Sequence, residues 1–165
     1  DQPAVVAYPA ADHLRPALTA DNIRARACQP GPLRLLFVGN VIPRKGLHAL
    51  LSALAKLRAC SNDFSRWPLT TDPTGALRRV VTTNQADEWH LFIVGSLTLD
   101  AAYASATRRQ IERDGLSANV TLRGSLSNAE LAAEFARSHV LVVPSSYEGF
   151  GIVYLEGMAF GLPAI

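Results

Sequence analysis

Two segments of the sequence combine glycines with charged residues in patterns that can bind phosphate groups and hydroxyls. The first, residues 39–46, reads Gly-Asn-Val-Ile-Pro-Arg-Lys-Gly and places Arg44 and Lys45 just before a periodic segment. Free N–H groups at a helix start favour anions, and adjacent cations strengthen that preference, so this loop suits a diphosphate. Taken alone, the loop is better explained as two solvated bases on a surface.

The second segment, residues 144–156, has two acids on either side of a glycine-rich turn. Glycines at a helix start expose backbone N–H groups that can donate to phosphate or sugar oxygens. A carboxylate can accept two hydrogen bonds from neighbouring hydroxyls, which suits Glu148. Glu156 stands in an otherwise apolar helical pattern, where an acid needs a partner or a ligand. The alternative is a carboxylate favoured by the helix dipole together with a solvated helix residue.

Short apolar runs alternate with helical patterns and predict how these loops are positioned. Strands are expected at 33–38, 89–95, 119–123 and 140–143, and helices at 46–57, 100–115, 128–138 and 152–160. Strands this apolar are typical of a sheet covered on both faces. The predicted fold class is therefore α/β, with a doubly wound, mostly parallel sheet. Ligands of such sheets bind at the carboxyl ends of the strands, where both segments lie.

Local signals mark several helix ends. Asp100 is expected to cap one helix, and Ser127 with Glu130 has the spacing of a capping box. Leu126 and Leu131 occupy the two positions of a hydrophobic staple. A shorter helix is expected near residues 21–27.

We expect two parts of the chain to lie outside this alternation. Residues 1–32 are interpreted as a linker from a missing N-terminal domain, and 33–165 as the domain itself, truncated at both ends because strand-like residues occur at 4–8 and 163–165. Residues 61–88 are rich in turn-forming residues and are interpreted as a surface insertion.

Composition excludes several function classes. The 165 residues carry a formal net charge of +2, with 18% charged and 48% hydrophobic residues, which argues against a nucleic-acid-wrapping protein and against long disorder. No apolar run is long enough to span a membrane. Two cysteines are too few for a disulfide framework, and the four histidines lack metal-ligand spacing. We therefore expect a cytoplasmic protein with no nucleic-acid partner, and leave peripheral attachment to the inner membrane face open.

The two segments and the strands around them resemble a known family. Residues 36–46, 91–95, 142–159 and 161–164 are similar to the C-terminal half of GT-B-type retaining glycosyltransferases of glycosyltransferase family 4 (group 1). Glu148 and Glu156, together with the residues around them, fit the E-x7-E motif of that family. The resemblance covers residues 33–165 apart from the 61–88 insertion.

The resemblance implies a Rossmann-like, nucleotide-sugar-binding domain and a role for each loop. Lys45 would hold the diphosphate, Glu148 the hydroxyls of the donor sugar and Glu156 the ribose, with Lys45 and Glu148 as the catalytic residues. Asn40 stands where members often carry arginine, so the diphosphate lacks one cation unless Arg44 replaces it. Gly149, Phe150 and Gly151 would present amides to the sugar and phosphate, and Gly95, Ser125 and Leu126 would frame the base. Gly39 would let the backbone approach the ligand closely.

The resemblance also implies an activity. The protein would transfer a sugar, with retention, from a donor such as a UDP- or GDP-sugar to a saccharide, lipid or small-molecule acceptor. That acceptor would be held by the missing N-terminal domain, so the fragment alone is expected to be inactive. No cofactor or metal is expected, since the sequence has no Asp-x-Asp pair. Two alternatives stay open: a nucleotide-sugar epimerase on the same scaffold, and a non-catalytic nucleotide-sugar-binding module.

Overall fold

The computed structural model describes residues 14, 16, 18–60, 70–71, 77–78 and 89–165. The helices in these ranges are α1 (Ala20–Ala27), α2 (Leu47–Cys60), α3 (Ala101–Arg113), α4 (Asn128–Arg137) and α5 (Ile152–Ala159), with a short 3-10 helix at Pro43–Lys45. The strands are β1 (Leu33–Val38), β2 (Thr70–Thr71), β3 (Leu77–Arg78), β4 (Trp89–Val94), β5 (Val120–Gly124) and β6 (Val140–Leu141).

Four of the strands form one parallel sheet in the order β5-β4-β1-β6. The chain runs outward from β1 through β4 to β5 and then returns to place β6 on the other side of β1. On its outer side β6 pairs in parallel with residues 163–165, where the Leu141 N–H donates to the Pro163 carbonyl at 2.9 Å. The predicted doubly wound parallel sheet is therefore confirmed.

Alternate residues of β1 point into two separate cores. Leu35 and Phe37 pack with the inner residues of α2 and α3 on one face of the sheet. Leu36 packs on the other face with Phe135 of α4 and Val153 of α5. Helices thus cover both faces, as expected for strands that are apolar throughout.

The inner face of α2 is narrower than the leucine pattern predicted. The spacing of the leucines at 47, 50, 51, 54 and 57 predicts one buried face of this helix. Leu47, Leu51 and Leu54 are buried, whereas Leu57 is 46% exposed. At 3.6 residues per turn, Leu57 lies about 90° around the helix from the centre of the other three. Its inclusion in the buried stripe was wrong.

The predicted N-terminal caps of α3 and α4 are confirmed. The Asp100 carboxylate accepts a hydrogen bond from the Tyr103 N–H at 2.9 Å at the start of α3. Ser127 and Glu130 form a reciprocal capping box at the start of α4. These caps satisfy N–H groups that have no partner within the helix.

The helix predicted near residues 21–27 is α1, and it packs against the sheet domain. Arg26 donates to the carbonyls of Ala136 and Gly161 at 3.2 and 3.0 Å. These carbonyls lie near the ends of α4 and α5, where arginine is favourable. The assignment of residues 1–32 as an interdomain linker stays a prediction.

Within the predicted insertion 61–88 the structure describes only β2 and β3, which pair antiparallel. The rest of that insertion lies outside the described residues. In the part of the chain that is described, no helix is both long enough and apolar enough to cross a membrane.

Candidate functional site

The strand order reverses between β1 and β6, and the loops that follow these strands meet there. β1 pairs with β4 on one side and β6 on the other, all in parallel, so the strands end at one common edge, here called the carboxyl edge. A crevice at such a reversal is where doubly wound sheets bind ligands. The two chemistry-bearing segments identified in the sequence, residues 39–46 and 144–156, both start at this point.

Gly46 allows the two loops to touch. Its φ is +70°, and a Cβ built there would lie 2.0 Å from the Pro144 carbonyl oxygen. The loops are also joined at Arg44, whose carbonyl accepts from the N–H and the hydroxyl of Ser146 at 3.0 and 3.1 Å. Any side chain at position 46 would force these loops apart.

An ion pair between Lys45 and Glu148 crosses this contact. The Lys45 ammonium donates to Oε1 of Glu148, and the Ser145 hydroxyl donates to the same oxygen at 2.6 Å. The two charged side chains are 13% and 19% exposed, so the pair is largely screened from water but still reachable. The methylene stem of Lys45 lies over Gly39, where a Cβ would contact Lys45 Cε at 3.4 Å.

Both members of the ion pair can make further hydrogen bonds. An ammonium has three N–H donors and a carboxylate two oxygens. Within the described residues, both hydrogen bonds to Glu148 fall on Oε1, which leaves Oε2 for a further donor. The arrangement can therefore hold an anion at Lys45 and hydroxyl groups at Glu148 together.

Glu148 is held in its ionised form. Burial raises the pKa of its carboxyl, but hydrogen bonds from Lys45 and Ser145 and the charges of Lys45 and Arg44 outweigh burial and lower the pKa below its ordinary value. A group whose pKa is lowered by folding stabilises the fold above its unfolded-state pKa and loses that contribution on acidification.

We predict that the stabilising contribution of the Glu148 charge disappears in acid. The measurement is the free energy of unfolding of the wild type and Glu148→Gln between about pH 7 and about pH 3. The difference between the two proteins is expected to stay constant down to the ordinary carboxyl pKa and to shrink below it. Glu112→Gln, at an exposed position of α3, is the matched control. A difference that grows on acidification would contradict this role.

The loop after β4 packs against the loop after β1. A Cβ at Gly95 would lie 2.0 Å from the Gly39 carbonyl oxygen, so only glycine permits this approach. Asn40 is exposed, and its side-chain oxygen accepts from the Ser96 N–H at 3.3 Å. Asn40 thus links two loops of the carboxyl edge.

Arg44 is exposed and reaches toward the second loop. Its guanidinium lies 3.4 Å from the Tyr147 carbonyl oxygen, and its charge contributes to the lowered pKa of Glu148. This location keeps Arg44 beside the ion pair as a second positive charge.

The glycine-rich turn leads directly into α5. Gly149 and Phe150 are exposed, and Gly151 is the N-cap residue of α5 with φ +72°. Glu156 lies on the second turn of α5 and is 7% exposed. α5 passes close to β6 here, since a Cβ at Gly157 would lie 2.7 Å from Leu141 Cδ2.

Ser125 and Leu126 lie farther along the carboxyl edge. They follow β5, which β4 separates from β1, so they are about 10 Å from the first loop in the direction across the strands. Ser125 is exposed, whereas Leu126 is partly buried against the α4 side of the core. The Gly95 N–H donates to the Gly124 carbonyl at 2.9 Å, which ties this turn to the loop after β4.

One residue of the site was not predicted from the sequence. Ser145, whose hydroxyl bonds Glu148, was not among the predicted site residues. Its place directly after a buried strand at the carboxyl edge is the signal that could have identified it.

Two cavities, of about 600 and 450 Å³, flank α1 near the amino ends of β1 and β6. None of the predicted site residues lines either cavity. Among the described residues, no group of three His, Cys, Asp or Glu side chains could hold a metal ion.

Comparisons of the sequence with a family model and with known proteins point to the same family. The sequence model of the family described as "Glycosyl transferases group 1" matches residues 20–165. Glycogen synthase from Mycobacterium tuberculosis is 29% identical over 141 residues, which are 86% of this chain and 27% of that protein. D-inositol 3-phosphate glycosyltransferase from Pseudarthrobacter chlorophenolicus is 28% identical over 150 residues, which are 91% of this chain and 30% of that protein.

A solved structure shares the fold. The Anabaena protein HepE, in complex with UDP and glucose, superposes with a TM-score of 0.59 at 22% identity over 89% of this chain and 33% of that one. At this identity the likeness establishes the fold. The chain spans about a quarter to a third of the length of the relatives that it matches.

Proposed function

This chain belongs to the glycosyl transferases group 1 family, and we propose that it forms the donor-binding half of a retaining, GT-B-type glycosyltransferase. The observation that carries this proposal is the Lys45–Glu148 pair, which lies where the strand order reverses and where doubly wound sheets bind ligands. HepE, which has the same fold, was solved with UDP and glucose, and this supports a nucleotide-sugar as the ligand.

The proposed chemistry follows from charge. Breaking the bond between sugar and phosphate builds positive charge on the sugar and negative charge on the leaving diphosphate. The Lys45 ammonium keeps two N–H donors for that diphosphate, and the free N–H groups at the start of α5 add to them. Donors fixed before the reaction stabilise this transition state more than the ground state. In this proposal the chain itself supplies the charge that a metal ion would otherwise supply.

The acids would orient the donor. Oε2 of Glu148 would accept from the hydroxyls of the sugar. We assign Glu156 to the ribose and Gly149, Phe150 and Gly151 to amide contacts. Gly39 and Gly95 allow the backbone to approach the ligand, and Ser125 and Leu126 would frame the base. Asn40 would support the site by holding the loop after β1 against the loop after β4 through its hydrogen bond to Ser96. Arg44 is the candidate for the second cation that binds the diphosphate.

Calorimetric titration with UDP-, GDP- and ADP-sugars tests the proposal. We expect one of the three to bind this chain and the chain alone to transfer nothing, because the acceptor would be held by a second domain. A longer polypeptide that includes this chain should then transfer the sugar to an acceptor. Release of an epimerised sugar nucleotide without acceptor would instead indicate an epimerase. Binding without either reaction would indicate a non-catalytic module.

We predict that Glu156→Gln weakens binding of the nucleotide about tenfold while the protein stays folded. Glutamine keeps the size of the side chain but accepts hydroxyl hydrogen bonds without a charge, and charge-assisted bonds are the stronger ones. Calorimetry gives the affinity and thermal unfolding the stability. Glu112→Gln serves as the control on an exposed helix position. Equal affinities of wild type and Glu156→Gln would contradict the ribose role.

A further inference from the structure

A second charged cluster lies beneath the carboxyl edge, between β5 and α4. Glu134 of α4 is 1% exposed and is held by two arginines. Arg137 donates from Nε to Glu134 Oε2 at 2.7 Å and from Nη2 to Oε1. Arg123 of β5 approaches the same Oε1 from the other side, with its Nη2 at 3.0 Å. Both oxygens of the carboxylate are therefore paired with arginines of the protein.

The arginines differ in what else they contact. The Arg137 guanidinium lies 4.9 Å from the centre of the Phe92 ring, so packing on β4 also holds it in place. Arg123 has a side chain that is 41% exposed, and Glu134 is its ion-pair partner within the described residues. Buried ion pairs add little to stability compared with apolar residues of the same volume. A role in positioning neighbouring backbone therefore explains the buried Glu134 ion pairs better than a contribution to the stability of the fold does.

Arg123 occupies an irregularity of the sheet. Ile93 pairs with Leu122, but Val94, the next residue of β4, pairs with Gly124, so Arg123 is the extra residue of a β-bulge. Bulges redirect a side chain and end regular pairing, and they are often found next to functional sites. Directly after this bulge, the Gly124 carbonyl accepts from the Gly95 N–H, and the chain turns through Ser125 to Leu126.

We infer that Glu134, acting through Arg123, is a positioning residue that sets the turn at residues 124–126 against Gly95, where the nucleobase of the donor would lie. The inference rests on the proposed function, since the nucleobase is the ligand part that this turn would contact. Glu134 itself does not touch the ligand in this account. It fixes the bulge, and the bulge fixes the turn. The diphosphate end at Lys45 belongs to the loop after β1 and shares no residue with this contact.

The test compares two ligands that occupy different parts of the site. UDP, GDP and ADP report on the base together with the diphosphate, and inorganic pyrophosphate reports on the Lys45 end alone. In Glu134→Gln we expect the dissociation constant of the best-bound nucleotide to rise about tenfold and that of pyrophosphate to change by less than about twofold. If the role of Glu134 is purely structural, Glu134→Gln should lower the thermal stability of the protein and weaken the binding of nucleotide and pyrophosphate by the same factor.

Substitutions at Arg123 keep the test valid if Glu134→Gln fails to fold, because Arg123 is partly exposed. Arg123→Met should weaken binding of the nucleotide as much as Glu134→Gln does. Arg123→Lys, which keeps the charge, should retain most of the wild-type affinity for the nucleotide. The double variant Arg123→Met, Glu134→Gln should lose no more than either single variant. Arg108→Met, at an exposed position of α3, is the control.

Three results would overturn the inference, and the failure of the inference alone is distinguishable from the failure of the proposed function. If the wild type binds nucleotide and pyrophosphate but the Arg123 and Glu134 variants bind nucleotide equally well, or lose both ligands equally, the positioning role fails and the proposed function stands. If the wild type binds neither ligand, the proposed function fails and the inference fails with it.

Discussion

Lys45→Met is expected to weaken nucleotide-sugar binding by about 100-fold. The methionine keeps the stem that packs over Gly39 and removes only the ammonium. A hydrogen bond to a charged group contributes about 1.5–3 kcal/mol, and the unpaired carboxylate of Glu148 would then repel the diphosphate. Calorimetric titration of both proteins with the preferred donor measures the loss.

The control for this variant is Lys56→Met. Lys56 is exposed on α2, so the substitution removes the same charge from the molecule without changing the site. Its affinity should match that of the wild type. If Lys45→Met also binds as the wild type does, the ammonium does not hold the diphosphate, and the assignment of the site fails.

Gly46→Ala should destabilise the protein by about 3–5 kcal/mol, among the largest effects of any single substitution here. Alanine at a φ of +70° is strained by about 1–2 kcal/mol. Its Cβ would lie 2.0 Å from the Pro144 carbonyl oxygen, so β1 and β6 could keep their pairing only if the two loops moved apart. Urea unfolding followed by circular dichroism gives the free energy.

Gly149→Ala provides the matched control for that measurement. Gly149 lies in the second loop, and a Cβ there would meet no atom within 4 Å. Its unfolding free energy should stay within about 1 kcal/mol of the wild type. A Gly46→Ala protein as stable as Gly149→Ala would show that the close approach of the two loops is not required.

Elements with local signals could be predicted from the sequence. The capping box at Ser127 and the cap at Asp100 act within one helical turn, and the apolar runs define buried strands without reference to their neighbours. The error at Leu57 arose because a leucine repeat was treated as one stripe, although its last member had drifted around the helix. Such errors arise because the direction of successive leucines around the helix axis changes a little at each repeat, and these changes add up along the helix.

The assembly of the site depends on strand order, which local patterns do not encode. The sequence placed Lys45 and Glu148 at the ends of two strands, and the family resemblance implied that they share a ligand. Their direct contact arises because β6 returns to lie beside β1. The link from Asn40 to Ser96 likewise requires β4 to lie next to β1, so its role as a loop contact was not predictable.

The Glu134 cluster shows the same limit. Its spacing to Arg137 is that of a helix ion pair and is readable in the sequence. Its contact with Arg123 depends on how α4 crosses β5 and on the bulge at that position. A one-residue shift in strand pairing leaves no mark in the composition of the strand.

Amide chemical shifts of the isotope-labelled chain, followed during titration with UDP, GDP and ADP in turn, test the location of the donor site most directly. We expect the nucleotide that binds to shift the amides of residues 39–46 and 145–151 and to leave those of α1 unchanged. Shifts concentrated on α1 around Arg26, beside the two cavities, with the carboxyl edge unaffected, would contradict it.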